Sequence, residues 1–222
     1  MRKFTLLIIS SLLFANSWGQ KIQVHEQSED FGKGKNNALV VSIYGADEGD
    51  IEKEWKSVMK DYNAQKISSS KGIMFADNAT IKEMGNNTID IYARFDVKKD
   101  GEVQLVVSFD LGGAYLSSSA HADKYKIAEK IMHDFAVKLT SEAITDKQKT
   151  QQKALDKLNS QQKDLEKDNK NLNSDISDYQ NRIKKDQDAL EKNKSDQAKK
   201  QTEISNQQKV VDDLAKQAKE VK

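Results

Sequence analysis

Along the last third of the chain, apolar residues recur at alternating steps of three and four. Leu155, Ile176, Ile183, Leu190, Ile204, Val211 and Ala218 share one phase. Leu158, Leu165, Leu172, Tyr179, Leu214 and Val221 share the phase three residues later. A spacing of this kind, held without a phase break, keeps one stripe of a helix turned toward a partner, which is the demand of a coiled coil. Gln162 and Asn169 interrupt the first phase, and Asp186, Asn193, Lys200 and Gln207 occupy the second in succession, so the middle is weak. Two structures satisfy the pattern. One is a continuous helix pairing in parallel with another copy. The other is a hairpin turning near Asn193-Lys194-Ser195, which packs 172–183 against 204–214. The unbroken phase favours the continuous helix, because a turn has no need to preserve register. The contact is expected to rest on Leu155, Leu158, Leu165, Leu172, Ile176, Tyr179 and Ile183. The flanking positions are rich in Gln, so charge specifies the partner poorly.

Before this arm the periodicity changes several times. Residues 21–25 read as a short strand and 31–37 (FGKGKNN) as a loop. Residues 38–44 (ALVVSIY) are a strand with almost no polar face, as in the centre of a sheet. A turn over 45–50 follows, with Asp47 or Asp50 placed to cap a helix. Ile51, Trp55, Val58 and Tyr62 then recur at helical spacing. Residues 73–75 and 79–81 are weaker strands, interrupted by Asp77-Asn78, and Gly85-Asn86-Asn87 signals a hairpin turn. Residues 88–97 and 102–110 alternate cleanly about Lys99-Asp100-Gly101, predicting a hairpin with one buried and one wetter face. After Gly112-Gly113 and a Ser-rich loop, a helix begins near Ala122 with Tyr125, Ala128, Ile131, Phe135 and Leu139 as its stripe. An antiparallel sheet needs a cover for its apolar face, and two amphipathic helices supply it. The predicted class is therefore α+β: a small antiparallel sheet covered by two helices, followed by a long C-terminal coiled coil. The order of elements resembles the β-α-β4-α arrangement of TBP-like and helix-grip folds, a topological resemblance that carries no functional residues.

Composition supplies the boundaries. Every glycine lies at or before Gly113, and every histidine and all aromatics except Tyr179 precede Ser141. This shift divides the chain into an α+β domain over 20–140 and a coiled-coil arm over 141–222. Residues 1–19 read as a signal peptide: Arg2 and Lys3, a short apolar run from Phe4 to Ala15, then Ser17 and Gly19 before a cut at Gln20. A second cut before Trp18 is also allowed, and an uncleaved anchor is the alternative. The apolar run falls short of the roughly 20 residues a membrane span needs. Export to the periplasm or outside the cell is expected, with no transmembrane segment after cleavage.

Cysteine is absent, which excludes disulfides, thiol catalysis, zinc-thiolate sites and a lipid anchor on an N-terminal Cys. Proline is absent as well, so long helices run freely. The 36 basic and 35 acidic residues nearly cancel, leaving no long-range field for nucleic acid or an anionic membrane.

Candidate chemistry is thin. Glu129 and His133 share a helix face at metal-ligand spacing, with His121 and Asp123 upstream, but two ligands do not make a site. Ser117, Ser118 and Ser119 precede His121 without a Gly-x-Ser-x-Gly elbow, and serines before a helix are ordinarily caps and loop formers. The acidic run Asp47, Glu48, Asp50, Glu52 and Glu54 lacks the EF-hand ligand spacing and suits a helix N-terminus. The loop around Gly32 and Gly34 lacks a phosphate-binding pattern. No catalytic, cofactor or metal residues are assigned.

These readings converge on an exported, non-enzymatic protein of a bacterial cell envelope. It is expected to act by self-association through the coiled coil or by docking to another helical envelope component. The bacterial assignment rests on the Lys- and Asn-rich composition together with the signal peptide. The alternative is a domain that binds a small ligand or metal in a groove beside the last domain helix, with the arm as an oligomerisation handle.

Overall fold

A computed structural model describes residues 21–32 and 34–220, with side chains as far as Lys219. The signal peptide expected over 1–19 and Val221 at the end of the heptad pattern lie outside the described residues. The elements run β1 (Val24–Asp30), β2 (Lys35–Ile43), α1 (Glu48–Asp61), β3 (Lys66–Ser70), β4 (Ile73–Ala79), β5 (Ile89–Val97), β6 (Val103–Asp110) and α2 (Ala122–Glu220). A 3-10 turn at Lys82–Met84 lies between β4 and β5. The class is α+β, with a six-stranded antiparallel sheet in the order β1-β2-β6-β5-β4-β3. After β1 the element order is β-α-β4-α. The chain divides into two compact units, the first ending at Gln151 and the second beginning at Gln152.

In the first unit, one face of the pleat carries Leu39, Val41 and Ile43 of β2, Met74 and Ala76 of β4, Ile91 and Ala93 of β5, and Leu105, Val107 and Phe109 of β6. These pack in one core with Ile51, Trp55 and Met59 of α1 and with Ala128, Met132, Phe135, Ala136 and Leu139 of α2. The Trp55 and Phe135 rings meet edge to face at 5.0 Å, the geometry their quadrupoles favour. Met59, Met132 and Ala136 sit deeper than Val58, Tyr62, Tyr125 and Ile131, which are only partly buried. Both helices therefore point a slightly different stripe inward than their aromatic and β-branched residues suggested.

Several local expectations are corrected. β1 continues to Asp30, and Lys35, Asn36 and Asn37 belong to β2 rather than to a loop, pairing with Asp30, Glu29 and Ser28. Asn37 sits in the strand because its amide donates to the Glu26 carboxylate and to the Leu116 carbonyl at 3.1 Å. β3 had no clear signal, since Ile67 is the single large apolar residue in KISSS. Its turn to β4 places Lys71 and Gly72 both at positive φ, 52° and 77°, as a type I′ hairpin requires. Asp77-Asn78 does not separate two strands. It is a bulge within β4, where the register with β5 shifts between Ala76 and Ala79. Asn78 takes a left-handed φ of 53° there. Its N–H donates to Asp90 Oδ1 at 3.0 Å, and Thr88 donates to its side-chain oxygen at 3.0 Å. The link from β4 to β5 runs over residues 80–88 through the 3-10 turn, longer than a two-residue hairpin. Asp47 is the N-cap residue of α1 by position, but its side chain makes no capping bond.

The second sheet face is less wet than the alternation suggested. Phe31, Ala38, Val40, Tyr92 and Val106 form a small buried cluster, with Ile73, Phe75 and Tyr115 packed against it. Phe75 stacks on Tyr92 at 4.8 Å. The Arg94 guanidinium lies over Phe31, 5.7 Å from the ring centre, and is held by Glu29 at 2.8 Å and Asp96 at 2.7 Å.

Candidate functional site

In the second unit α2 is helical throughout, with no turn near residues 193–195, so the hairpin is not formed. No Gly or Pro breaks it, and local side-chain bonds on its surface add support. Gln162 donates to Glu166 at 2.9 Å, Asn173 to Asn169 Oδ1 at 2.7 Å, and Gln197 to Asn193 Oδ1 at 2.6 Å. Such i, i+4 contacts contribute only a few tenths of a kcal/mol each.

The seven residues expected to carry contact lie on this helix, and all are exposed, at 49% to 64% for Leu155, Leu158, Leu165, Leu172, Ile176, Tyr179 and Ile183. Leu190, Ile204, Val211 and Leu214 extend the same exposed series. Residues three and four apart share a helix face, so these side chains make one apolar strip along it. Val210, exposed beside Val211, widens the strip at its far end. It was overlooked because it falls one position outside the heptad phase. The polar members of the seam are partly satisfied within the helix itself: Asn169 and Asn193 by the amides of Asn173 and Gln197, and Lys200 by Glu203.

The first unit offers weaker candidates. An open groove of about 660 Å³ lies between α1 and the start of α2, floored by Val58, Tyr62, Ile127, Ile131 and Phe135. Burial raises the Tyr62 hydroxyl pKa, with Glu83 and Asp61 adding to it. The cations at the rim are largely engaged. Lys130 pairs with Asp134 and holds that carboxyl below its usual range. Lys138 pairs with Glu54, which raises its own pKa. An anionic ligand would find Lys126 as the remaining rim cation with no partner among the described residues.

Glu129 and His133 line a shallow cleft with His25. His133 Nδ1 lies 3.3 Å from Asp134 Oδ1 instead of pairing with Glu129. Among the described residues, no group of three or more His, Cys, Asp or Glu side chains is arranged to hold a metal ion.

The serine run is a hook. The Ser118 hydroxyl and N–H both donate to the Glu26 carboxylate, the latter at 3.0 Å, tying β1 to the segment before α2. Ser117 Oγ accepts the Ala120 N–H at 3.2 Å. His121 Nδ1 is buried with no partner among the described residues, so no serine is bonded to it there.

The chain matches no protein-family model, and no curated protein or solved structure is significantly similar to it. Among the described residues no helix is long and apolar enough to cross a membrane.

Proposed function

We propose that this is an exported envelope protein that works by association and not by catalysis. The apolar strip of α2 packs against a partner helix as a coiled coil. The sheet domain, its apolar face covered by α1 and the first turns of α2, is the piece that the coil joins to other molecules. The supporting observation is the exposed seam itself. A run of large aliphatic side chains at about half exposure or more, spaced for one face, is a surface with an unmet demand for burial. Each Leu or Ile taken fully out of water contributes roughly 1.5–3 kcal/mol. Helical stability in proteins also comes mostly from packing of an apolar face.

The test is made in the exporting cell, with a photo-crosslinking amino acid at Leu172 in the seam or at Lys170 on the outward face. The expected result is an adduct from position 172, with a second copy or another helical protein, and none from 170. Equal adducts at both positions, or none at 172, overturns the association reading. The export part is checked by mass spectrometry of the mature chain, whose first residue is expected to be Gln20. Retention of residues 1–19 removes it.

A further inference from the structure

We infer that the partner is a second copy of this chain, lying parallel and in register along α2 from Leu155 to Leu214. The inference rests on the association reading above and adds its occupant and direction. In register, every seam residue meets its own counterpart. Leu158, Leu165 and Leu172 then form purely aliphatic layers. Gln162 and Asn169 meet their own amides, which both donate and accept hydrogen bonds and so satisfy one another.

A reversed pairing with full overlap mixes these classes, because residues of the first phase then face residues of the second. Over Leu155 to Leu214, Ile176 meets Asn193, Ile183 meets Asp186 and Leu172 meets Gln197. Each such layer presses a charged or amide group against an aliphatic one that cannot bond to it. A parallel slip of one heptad is no better, since it sets Ile176 on Asn169 and Tyr179 on Asp186.

The flanks agree with the in-register pair. Positions five residues apart across a parallel coil join Asp168 to Asn173, Asp175 to Gln180, and Arg182 to Gln187. Further along they join Asp196 to Gln201 and Glu203 to Gln208. No like charges are opposed, and each charged group meets an amide except Lys194, which meets Ala189. β-Branched Ile176, Ile183 and Ile204 with Asn169 in one phase, and Leu158, Leu165 and Leu172 in the other, together describe a two-stranded coil. The weak layers are Asp186 and Lys200, each facing itself. Lys200 is offset by Glu203 of its own helix.

Because the chain has no Cys, one introduced Cys reports on its own copy without interference. The mature full chain carrying Leu172→Cys is equilibrated in a glutathione redox buffer beside one carrying Lys170→Cys, after circular dichroism shows wild-type helix content for both. The expected result is a disulfide-linked dimer from Leu172→Cys, in roughly tenfold excess over Lys170→Cys, as the reach of a disulfide requires. An equimolar mixture of Ile176→Cys and Asn193→Cys chains then reads direction. Linked peptides joining 176 to 176 and 193 to 193 support the inference, and peptides joining 176 to 193 overturn it. Leu172→Cys chains that stay reduced also overturn it. If the seam still crosslinks to a different protein in the cell, the association reading survives that failure.

Discussion

At the scale of the residue, Glu26 and Trp55 show what chain pattern conceals and what it reveals. Trp55 is legible: it recurs at helical spacing with Ile51, and it is fully buried against Phe135. Trp55→Ala is expected to cost about 3–5 kcal/mol in urea unfolding of the full chain. Glu26 is not legible, because its partners Asn37 and Ser118 come from elsewhere in the sequence and a lone Glu in a polar strand carries no signal. Burial acts to raise its pKa, but the hydrogen bonds from Ser118 and Asn37 prevail, and the carboxyl is held below its ordinary range. A depressed carboxyl stabilises the fold fully above its unfolded pKa and loses that contribution as pH falls through the folded value. Glu26→Gln is therefore expected to be less stable than wild type at pH 7, by about 1 kcal/mol. The gap should shrink steadily below about pH 4.3, the ordinary Glu value. Urea midpoints of the two chains at pH 7 and pH 3 measure it. A gap that is constant across that range assigns Glu26 to packing alone.

Elements were read from period, and they were found where the period was clean. Strands β5 and β6 alternate, and α1 and α2 repeat at helical spacing, so each lies where the pattern put it, whereas β2, a continuous apolar run, begins at Lys35, ahead of that run. β3 escaped because three serines and one isoleucine do not alternate, and its position is fixed by pairing with β4 instead. The bulge at Asn78 read as a break because two polar residues in a row look like a turn, whereas the Asn78 N–H donates to Asp90 and its side-chain oxygen accepts from Thr88. Asn tolerates the left-handed backbone at that point, and a β-branched residue does not. Asn78→Val is expected to destabilise the sheet by roughly 1–3 kcal/mol, combining strain with the lost bonds. Thermal unfolding of Asn78→Gly beside it separates the two causes, since glycine relieves the strain without restoring the bonds. The second face of the sheet was read as wet because Tyr92, Arg94 and Asp96 are polar by type. Tyr92 instead packs on Phe31 and Phe75, and the Arg94 guanidinium lies over Phe31.

For the whole molecule the heptad strip was legible at once, since one helix face needs only one period, while its occupant is not written in that period. Leu165→Asp together with Leu172→Asp is expected to shift the mature chain to a lower mass in light scattering, with a loss of helix, while near-ultraviolet dichroism from Trp55 is unchanged. An unchanged mass rules out the seam as the contact. The flanking positions offer amides rather than ion pairs. Raising salt from 0.05 to 0.5 M is accordingly expected to move the association constant by less than about tenfold, where a charge-driven contact would weaken far more. A sedimentation series in salt measures this. The two outer rims of the sheet bear on what happens when copies are crowded together. One is β1, studded with Glu26, Glu29 and Asp30, and the other is β3, five residues long and mostly serine. Short or acidic margins are poor templates for sideways growth of a sheet. Concentrated protein is therefore guarded against stacking into amyloid-like ribbons, and thioflavin fluorescence should stay flat even where many chains are tethered at close quarters.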